Sequence, residues 1–192
     1  RYLIISHSDS DHRGDVDAFK SFFKVKEHIG YKGATVCDNK RTGRQWLDAK
    51  ISWWSVNGTT NQHNNDSCIV KINLFGKSFL LTGDIENVAE AKLLTKASGW
   101  LDTDVLLAPH HGSKTSSSLP FLKATSATDV IISTSRFNRW QLPHVEVLDR
   151  LCSMEANIFM TGFVGQISFT RHNTGWTPTS FETRADVPWF AK

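Results

Sequence analysis

The residues best suited to chemistry lie in short groups that follow apolar runs. Between positions 7 and 12 the chain carries four side chains able to bind a metal ion: His7, Asp9, Asp11 and His12. A helix starting nearby needs one carboxylate as an N-cap, and Asp15 or Asp17 can supply it. The group therefore predicts a metal site. Because its His-x-Asp and Asp-His pairs point in different directions, one loop can serve two adjacent ions.

Three further apolar runs, at 79–81, 105–107 and 130–132, also lead to ionisable side chains. These are, in order, Asp84, the pair His110 and His111, and His144 after a longer loop. Buried strands that end in this way would collect such side chains along one edge of a sheet. A carboxylate such as Asp84 can bridge two cations, whereas His144 alone is equally well explained as a capping or packed residue.

Length and composition fit one folded domain. The chain has 192 residues, of which 40% are hydrophobic and 21% charged, and its 12 Phe and 7 Trp exclude a disordered chain. No apolar run approaches the roughly 20 residues that span a membrane. The three cysteines, at 37, 68 and 152, cannot form a full disulfide framework, and buried thiols are the favoured interpretation of all three.

The net charge of +3 is unevenly distributed. Between Lys20 and Arg44 there are seven Lys or Arg residues against Glu27 and Asp38. Such a stretch could bind a polyanion. The alternative is that these lysines and arginines are only the solvent-facing side of an amphipathic helix, and this feature alone favours that alternative.

Hydrophobic periodicity predicts alternating strands and helices, and hence an α/β fold. Glu90 is expected to lie off the apolar face of its helix. The abrupt opening strand is typical of a piece of a longer protein. The predicted strands are 1–6, 51–56, 68–75, 78–82, 104–108, 129–133, 157–161 and 165–170; the helices are 17–24, 86–97, 119–124 and 145–154; 33–48 and 57–66 are loops, and the tail is irregular.

These motifs together resemble the metallo-β-lactamase superfamily, and in particular the C-terminal hydrolase domain of the ComEC family of natural transformation. The resemblance runs from residue 1 to about 170 and rests on HSDSDH at 7–12, LLTGD at 80–84, APHHGSKTS at 108–116 and PH at 143–144. It implies an αββα sandwich that is N-terminally truncated in this chain. It also implies a hydrolase domain over 1–172, followed by an irregular tail over 173–192.

The resemblance further implies a site for two divalent metal ions, Zn²⁺ or Mn²⁺, and no organic cofactor. Carried over by position, the catalytic residues are Asp84 and His110. The metal ligands are His7, Asp9, Asp11, His12, Asp84 and His111, and the substrate-binding residues are Ser113, Lys114, Thr115 and His144. Where many members of the superfamily have a ligand histidine, this chain has Asn64, with His63 beside it.

The function implied is a metal-dependent nuclease that degrades one DNA strand during DNA uptake. The expected partners are DNA, mainly single-stranded, and the membrane channel portion of the same longer protein. The domain would face the periplasm from the inner membrane. Trp140 or Phe137 could stack unpaired bases, whereas Trp53 and Trp54 fit the core better.

Two alternatives stay open on the sequence alone. One is a metallo-hydrolase of a small substrate on the same fold, such as a phosphorylcholine esterase or a lactamase-like enzyme. The other is a DNA-guiding module without catalysis.

Overall fold

A computed structural model describes residues 1–38, 40–56 and 63–181, which form a mixed α/β fold. The strands in these ranges are β1 (Tyr2–Ile5), β2 (Glu27–Gly30), β3 (Thr42–Trp46), β4 (Ala49–Trp54), β5 (Ile69–Leu74), β6 (Lys77–Leu81), β7 (Val105–Leu107), β8 (Asp129–Ile132), β9 (Asn157–Met160), β10 (Ile167–His172) and β11 (Gly175–Ser180). The α-helices are α1 (Ser10–Arg13), α2 (Val16–Phe22), α3 (Asn87–Leu101), α4 (Leu119–Thr125), α5 (Val145–Cys152) and α6 (Thr161–Val164).

A seven-stranded sheet, ordered β3 to β9 along the chain, organises the molecule. Strands β3 to β6 pair antiparallel, and β6 to β9 pair parallel. The carboxyl ends of the four parallel strands therefore lie at one edge of the sheet, where loops that bind ligands collect. The predicted α/β class is confirmed.

The main core lies between this sheet and helices α3, α4 and α5. It forms because alternate residues of the parallel strands point to the helix side, as Leu80 and Leu106 do with no exposed surface. Each helix contributes apolar residues to the same core, among them Leu93, Phe121 and Leu151.

The opposite face of the sheet carries a second, smaller core. Strands β1 and β2 form a parallel pair, and Ile29 packs with Trp53 and Val70 from β4 and β5. Trp53 and Trp54 are 2% and 5% exposed, which confirms their assignment to the core. The loop that follows β1 is thereby placed beside the carboxyl end of β6.

The interpretation of the cysteines as three buried thiols is wrong. Cys37 and Cys68 form a disulfide that belongs to the second core, and Cys152 is free and exposed. The two partners are 31 residues apart in the sequence. Spacing gave no sign of the pairing because the fold alone brings β2 against the start of β5.

Two regions expected to be irregular contain strands. The predicted loop 33–48 includes β3, and the predicted irregular tail 173–192 includes β11, which pairs with β10. All five residues of β3 are exposed, so the strand lacks the apolar alternation by which strands are recognised. In β11, Pro178 weakens the strand signal. Residue 39 and the ranges 57–62 and 182–192, which include most of the predicted turn-rich loop, lie outside the described residues.

Candidate metal centre

Four of the expected metal ligands converge at the carboxyl ends of β6 and β7. The ligand atoms of Asp11, His12, Asp84 and His111 all lie within 4.8 Å of one another. His12 Nε2 is 3.0 Å from Asp84 Oδ1 and 3.2 Å from His111 Nε2, and His111 Nε2 is 3.2 Å from Asp11 Oδ2. Two imidazole nitrogens and two carboxylates directed at one point are a donor set suited to Zn²⁺ or Mn²⁺.

The charges of the cluster favour the ionised form of Asp84. Burial on its own would raise the pKa of Asp84, but the hydrogen bond with His12 and the charges of His12, His111 and His110 lower it overall. Burial on its own would lower the pKa of His12, and the hydrogen bond and charge of Asp84, with Asp11 and Asp9, raise it overall. Without a metal, the histidine and the buried carboxylate thus hold each other as an ion pair.

His7 and Asp9 lie beside this cluster and are not part of it. The His7 side chain is completely buried, its ring centroid is 4.4 Å from that of His12, and its Nε2 is 3.6 Å from Asp9 Oδ2. Nε2 of His7 has no hydrogen-bond partner among the described residues. Burial and the neighbouring His12 lower the pKa of His7, so the ring is held neutral, the form that binds a metal ion. An unpartnered buried nitrogen beside a carboxylate fits a cation.

Two serines hold the histidine rings and the backbone of the cluster. Ser6 Oγ lies 3.1 Å from His7 Nδ1 and 3.2 Å from His12 Nδ1, so one hydroxyl oxygen can accept from both rings. The Ser67 hydroxyl accepts from the backbone N–H of Asp84 at 3.1 Å. In each ring Nε2 is then left to bind a metal ion. Groups around metal-ligating histidines usually orient the ring in this way, through its other nitrogen.

The His110–His111 pair adopts a backbone that non-glycine residues rarely use. Their φ angles are +48° and +54°, both in the left-handed region. The pair is fixed by a backbone hydrogen bond from His110 N–H to the Gly83 carbonyl at 3.2 Å and by Ser116 Oγ, which donates to the Pro109 carbonyl at 2.8 Å. Strained backbone of this kind persists where the surroundings hold it, and it is common at functional sites.

The two histidines of the pair face different groups. His111 Nδ1 lies 2.8 Å from the Ser133 carbonyl, to which it can donate, so Nε2 is free for the cluster. His110 lies between two acids: Nε2 is 3.9 Å from Asp84 Oδ2, and Nδ1 is 3.4 Å from Glu86 Oε1. His110 is thus at the rim of the cluster.

Gly83 permits the close approach of β6 to the neighbouring loops. Its φ is +58°, and a Cβ at this position would lie 2.8 Å from Ser67 Oγ and 3.0 Å from Ser6 Cβ. A larger residue would therefore push apart the two serines that hold the histidines and Asp84.

The expected substrate-binding residues lie next to one another on the loop after His111. Ser113 is buried and its hydroxyl is 3.1 Å from that of Thr115, which in turn donates to Glu86 Oε1 at 2.8 Å. The backbone N–H of Lys114 donates to His144 Nδ1 at 3.2 Å. The Lys114 side chain is exposed. Their role toward a substrate stays a prediction.

Sequence reasoning missed the residues that position this loop. Glu90, expected off the apolar face of α3, is completely buried and accepts from the backbone N–H groups of Ser117 and Ser118 at 2.5 and 2.8 Å. Arg150 donates to the carbonyls of Ser116 and Ser117. Glu90 lies three and four residues before Leu93 and Leu94, and this helical spacing was the signal that could have placed it on the buried face.

At the position that departs from the superfamily, His63 is not a member of the cluster of four. His63 is exposed and Asn64 opens a short 3₁₀ turn, Asn64–Asp66. The next residue, Asn65, connects this turn to the site, because its side chain accepts from Glu86 N–H at 2.9 Å and donates to Glu86 Oε2 at 3.2 Å.

A cleft of about 380 Å³ opens beside the cluster. Asp11, His12, Asp84 and His111 form part of its wall, and the other side is apolar, with Ile4, Val70, Ile72 and Leu81 among its residues. The candidate centre is therefore accessible to a substrate.

Comparison with known proteins identifies relatives over nearly the whole chain. The uncharacterized protein YcaI of Escherichia coli is 31% identical over 192 residues, or 98% of this chain and 25% of that protein. Recombination protein 2 of Haemophilus influenzae is 30% identical, covering 99% and 24% respectively. Competence protein ComA of Neisseria gonorrhoeae is 31% identical, covering 87% and 25%. The chain thus spans about a quarter of the length of each relative, and no protein-family model matches it.

A solved structure supports the fold. A protein from Parabacteroides distasonis described as a metal-dependent hydrolase superposes with a TM-score of 0.55 at 13% identity, over 84% of this chain and 76% of that one. The chain is homologous to proteins of the ComEC/Rec2 family over about a quarter of their length, and its fold is that of the metallo-β-lactamase type of metal-dependent hydrolase.

Proposed function

We propose that this chain is a metal-dependent phosphodiesterase that cleaves DNA. The observation that carries the proposal is the convergence of Asp11, His12, Asp84 and His111 within 4.8 Å at the edge of an open cleft. These four residues would hold one divalent ion, Zn²⁺ or Mn²⁺. His7 and Asp9, with Asp84 shared between the two positions, would hold a second. Divalent ions so placed neutralise phosphoryl oxygens and lower the pKa of a bound water.

The chain's own residues would orient and stabilise the reacting phosphate. His110, at the rim between Asp84 and Glu86, would donate a hydrogen bond to a phosphate oxygen or to the leaving oxygen. The exposed Lys114 would contact the adjacent phosphate, with Ser113, Thr115 and His144 shaping that part of the loop.

DNA is supported as the substrate by the relatives and by the surface charge. Two relatives of this chain are named for competence and for recombination. All seven basic residues between positions 20 and 44 are exposed, so their positive charge is available to attract a polyanion. In this proposal the chain degrades one strand of incoming DNA during natural transformation.

The disulfide supports a location in an oxidising compartment. Cys37 and Cys68 are paired, and such bonds persist mainly outside the cytosol. The proposal therefore places this domain on the periplasmic side of the inner membrane, joined to the channel portion of a longer protein. Among the residues described, no helix has the length and apolar character needed to cross a membrane.

The test is digestion of labelled single-stranded and duplex DNA by the purified chain with Mn²⁺ or Zn²⁺. Asp84→Asn keeps the shape of the side chain and removes its charge, so we expect cleavage to fall by about 100-fold or more, since even groups outside the ligand shell are worth about 10- to 100-fold. Asp48→Asn, at an exposed aspartate in the β3–β4 turn, is the matched control and should cleave as the wild type does. Equal cleavage by Asp84→Asn and the wild type would refute the proposal.

The size of the cleft favours one alternative, hydrolysis of a small molecule. About 380 Å³ is within the usual range for small-ligand pockets. Salt separates the two functions, because a DNA-cleaving enzyme that contacts many phosphates loses affinity steeply as salt rises, and a small-molecule hydrolase does not.

A further inference from the structure

The loop at residues 133–144, between β8 and α5, combines exposed aromatic rings with arginines. Phe137 and Trp140 are 89% and 62% exposed, among the most exposed large hydrophobic side chains of the described residues. Arg136 and Arg139 are exposed, and the loop contains no acidic residue. Exposed aromatic residues in a positively charged segment carry both the apolar and the cationic groups that a polyanion with flat bases requires.

The rings are presented by a well-fixed backbone. The side chain of Asn138 accepts from Leu142 N–H at 2.8 Å and donates to the Leu142 carbonyl at 2.7 Å, which closes the loop. The guanidinium of Arg139 lies 4.3 Å from the centre of the Trp140 ring, and that of Arg136 lies 5.9 Å from the centre of Phe137. A site ordered before its ligand arrives loses less entropy on binding.

Both ends of this loop are attached to the candidate metal centre. At the start, the Ser133 carbonyl lies 2.8 Å from His111 Nδ1. At the end, His144 N–H donates to the Gly112 carbonyl at 3.0 Å. A second open cavity of about 670 Å³ lies against the loop, and Arg136, Phe137 and Phe163 contribute to its lining. A chain bound in the cleft can therefore continue directly onto the loop.

We propose that loop 133–144 is the base-binding part of the substrate site and that it selects single-stranded nucleic acid. Unpaired bases stack on Phe137 and Trp140, and Arg136 and Arg139 contact the phosphates between them. A duplex buries its bases in its own stack and cannot use these rings. The inference rests on the proposed function, which identifies the bound polymer as DNA. It assigns the binding of unpaired bases to this loop.

The test measures binding without cleavage, by fluorescence anisotropy in excess chelator. The probes are a labelled oligothymidylate of about 12 nucleotides, an abasic strand of equal length, and a duplex. The wild type should bind oligothymidylate about tenfold more tightly than the abasic strand or the duplex, because one stacked base is worth about that factor. Phe137→Ala/Trp140→Ala should remove this preference and leave binding of the abasic strand unchanged.

A matched control exists at the far end of β6. Phe75 is 48% exposed with the Arg171 guanidinium 4.1 Å from its ring centre, so Phe75→Ala removes an equivalent arginine–aromatic pair away from the site. It should bind as the wild type does. Trp140→Phe, which keeps a ring, should bind like the wild type, and circular dichroism should show that all variants fold, since the deleted rings are exposed.

The outcomes separate this inference from the proposed function. Equal wild-type affinity for oligothymidylate and the abasic strand, or an unchanged preference in the double variant, would overturn the stacking role even if the wild type cleaves DNA. A base-dependent preference in a protein that cleaves no DNA with any metal would support the loop and refute the nuclease. A loss of affinity equal for all three probes would also overturn stacking, because it would show charge contacts alone.

Discussion

The two histidines of the candidate centre each direct Nε2 into the cluster and have Nδ1 held by a neighbour. His111 is held through the Ser133 carbonyl and His12 through Ser6. Asp11 and His12 could be predicted from the sequence as members of a cluster of ionisable side chains, because two histidines and two aspartates within six residues have no ordinary structural explanation. Ser6 could not, since a single serine after a strand carries no pattern and its role depends on the approach of His7 and His12 in space.

Ser6→Ala tests whether this serine positions both histidines. Loss of the hydroxyl leaves His12 Nδ1 without its acceptor, whereas His7 Nδ1 keeps the Ser67 hydroxyl at 3.3 Å. The His12 ring can then rotate, and we expect metal affinity to fall about 10- to 100-fold. Titration against a competing chelator measures it. Ser21→Ala, which removes an exposed hydroxyl bonded only to the Ala18 carbonyl, is the control. An unchanged affinity in Ser6→Ala would show that packing alone orients the rings.

Gly83→Ala tests the close approach at the end of β6. The added Cβ would collide with Ser67 and Ser6 in a left-handed backbone, so we expect a loss of about 1–3 kcal/mol in the free energy of unfolding, together with weaker metal binding. Gly99→Ala, in a helix and with no atom within 4 Å of its Cβ, should be neutral or stabilising. Urea denaturation measures both, and equal stability of the two variants would contradict the packing argument.

At the scale of elements, the loop after β7 is held by α3 and α5. Glu90 accepts hydrogen bonds from backbone N–H groups of the loop, and Arg150 donates hydrogen bonds to backbone carbonyls of the loop. The helices could be predicted from apolar spacing, whereas this function of Glu90 could not, because only the folded contact shows that a buried acid has partners. Strand β3 could not be predicted because it is an exposed edge strand. Its hydrogen bonds to β4 hold it in place, and its sequence has no apolar alternation to reveal it.

Glu90→Gln tests the electrostatics of that attachment. Burial raises the pKa of Glu90 above its ordinary value of 4.5, although Ser118, Ser117 and Arg150 oppose this effect. The unfolded chain then releases its proton at lower pH than the folded chain does. As pH rises from about 4 to about 7, Glu90 should therefore contribute less to stability.

The measurement is urea denaturation of the wild type and Glu90→Gln across that pH range. We expect the free energy of unfolding of the wild type, relative to the variant, to be greatest at the acidic end and to decline toward neutral pH. A relative stability that increases with pH would mean that hydrogen bonds from Ser117 and Ser118 outweigh burial, and that the pKa of Glu90 is lowered.

At the scale of the whole molecule, the centre requires two separate layers to meet. The loop after β1 comes from the two-stranded layer, and Asp84 and His111 come from the seven-stranded sheet. The α/β class and the meeting of the loops after β6 and β7 could be predicted, because buried parallel strands place their carboxyl ends together. The expectation that the loop after β1 ends at the same sheet edge was wrong, because β1 lies in a separate two-stranded sheet and approaches the site from that layer. The disulfide that joins the layers could not, since three cysteines allow several pairings and none has a characteristic spacing.

Cys37→Ser/Cys68→Ser tests how much that bond stabilises the layered fold. Closing a loop whose ends are 31 residues apart restricts the unfolded chain by about 3–4 kcal/mol, so we expect the free energy of unfolding to decrease by that amount. Urea denaturation measures it. Cys152→Ser, at the free exposed cysteine, should leave stability unchanged. An equally stable double variant would show that burial alone holds β2 against β5.

The metal content of the chain tests the central claim most directly. After reconstitution with Zn²⁺ or Mn²⁺ and removal of unbound ions, elemental analysis should find about two metal ions for each wild-type chain. It should find clearly fewer in Asp84→Asn, because in the proposed function the Asp84 carboxylate would be shared between the two ions. A wild-type chain that retains less than one ion, or an Asp84→Asn variant that retains as many as the wild type, would contradict the account.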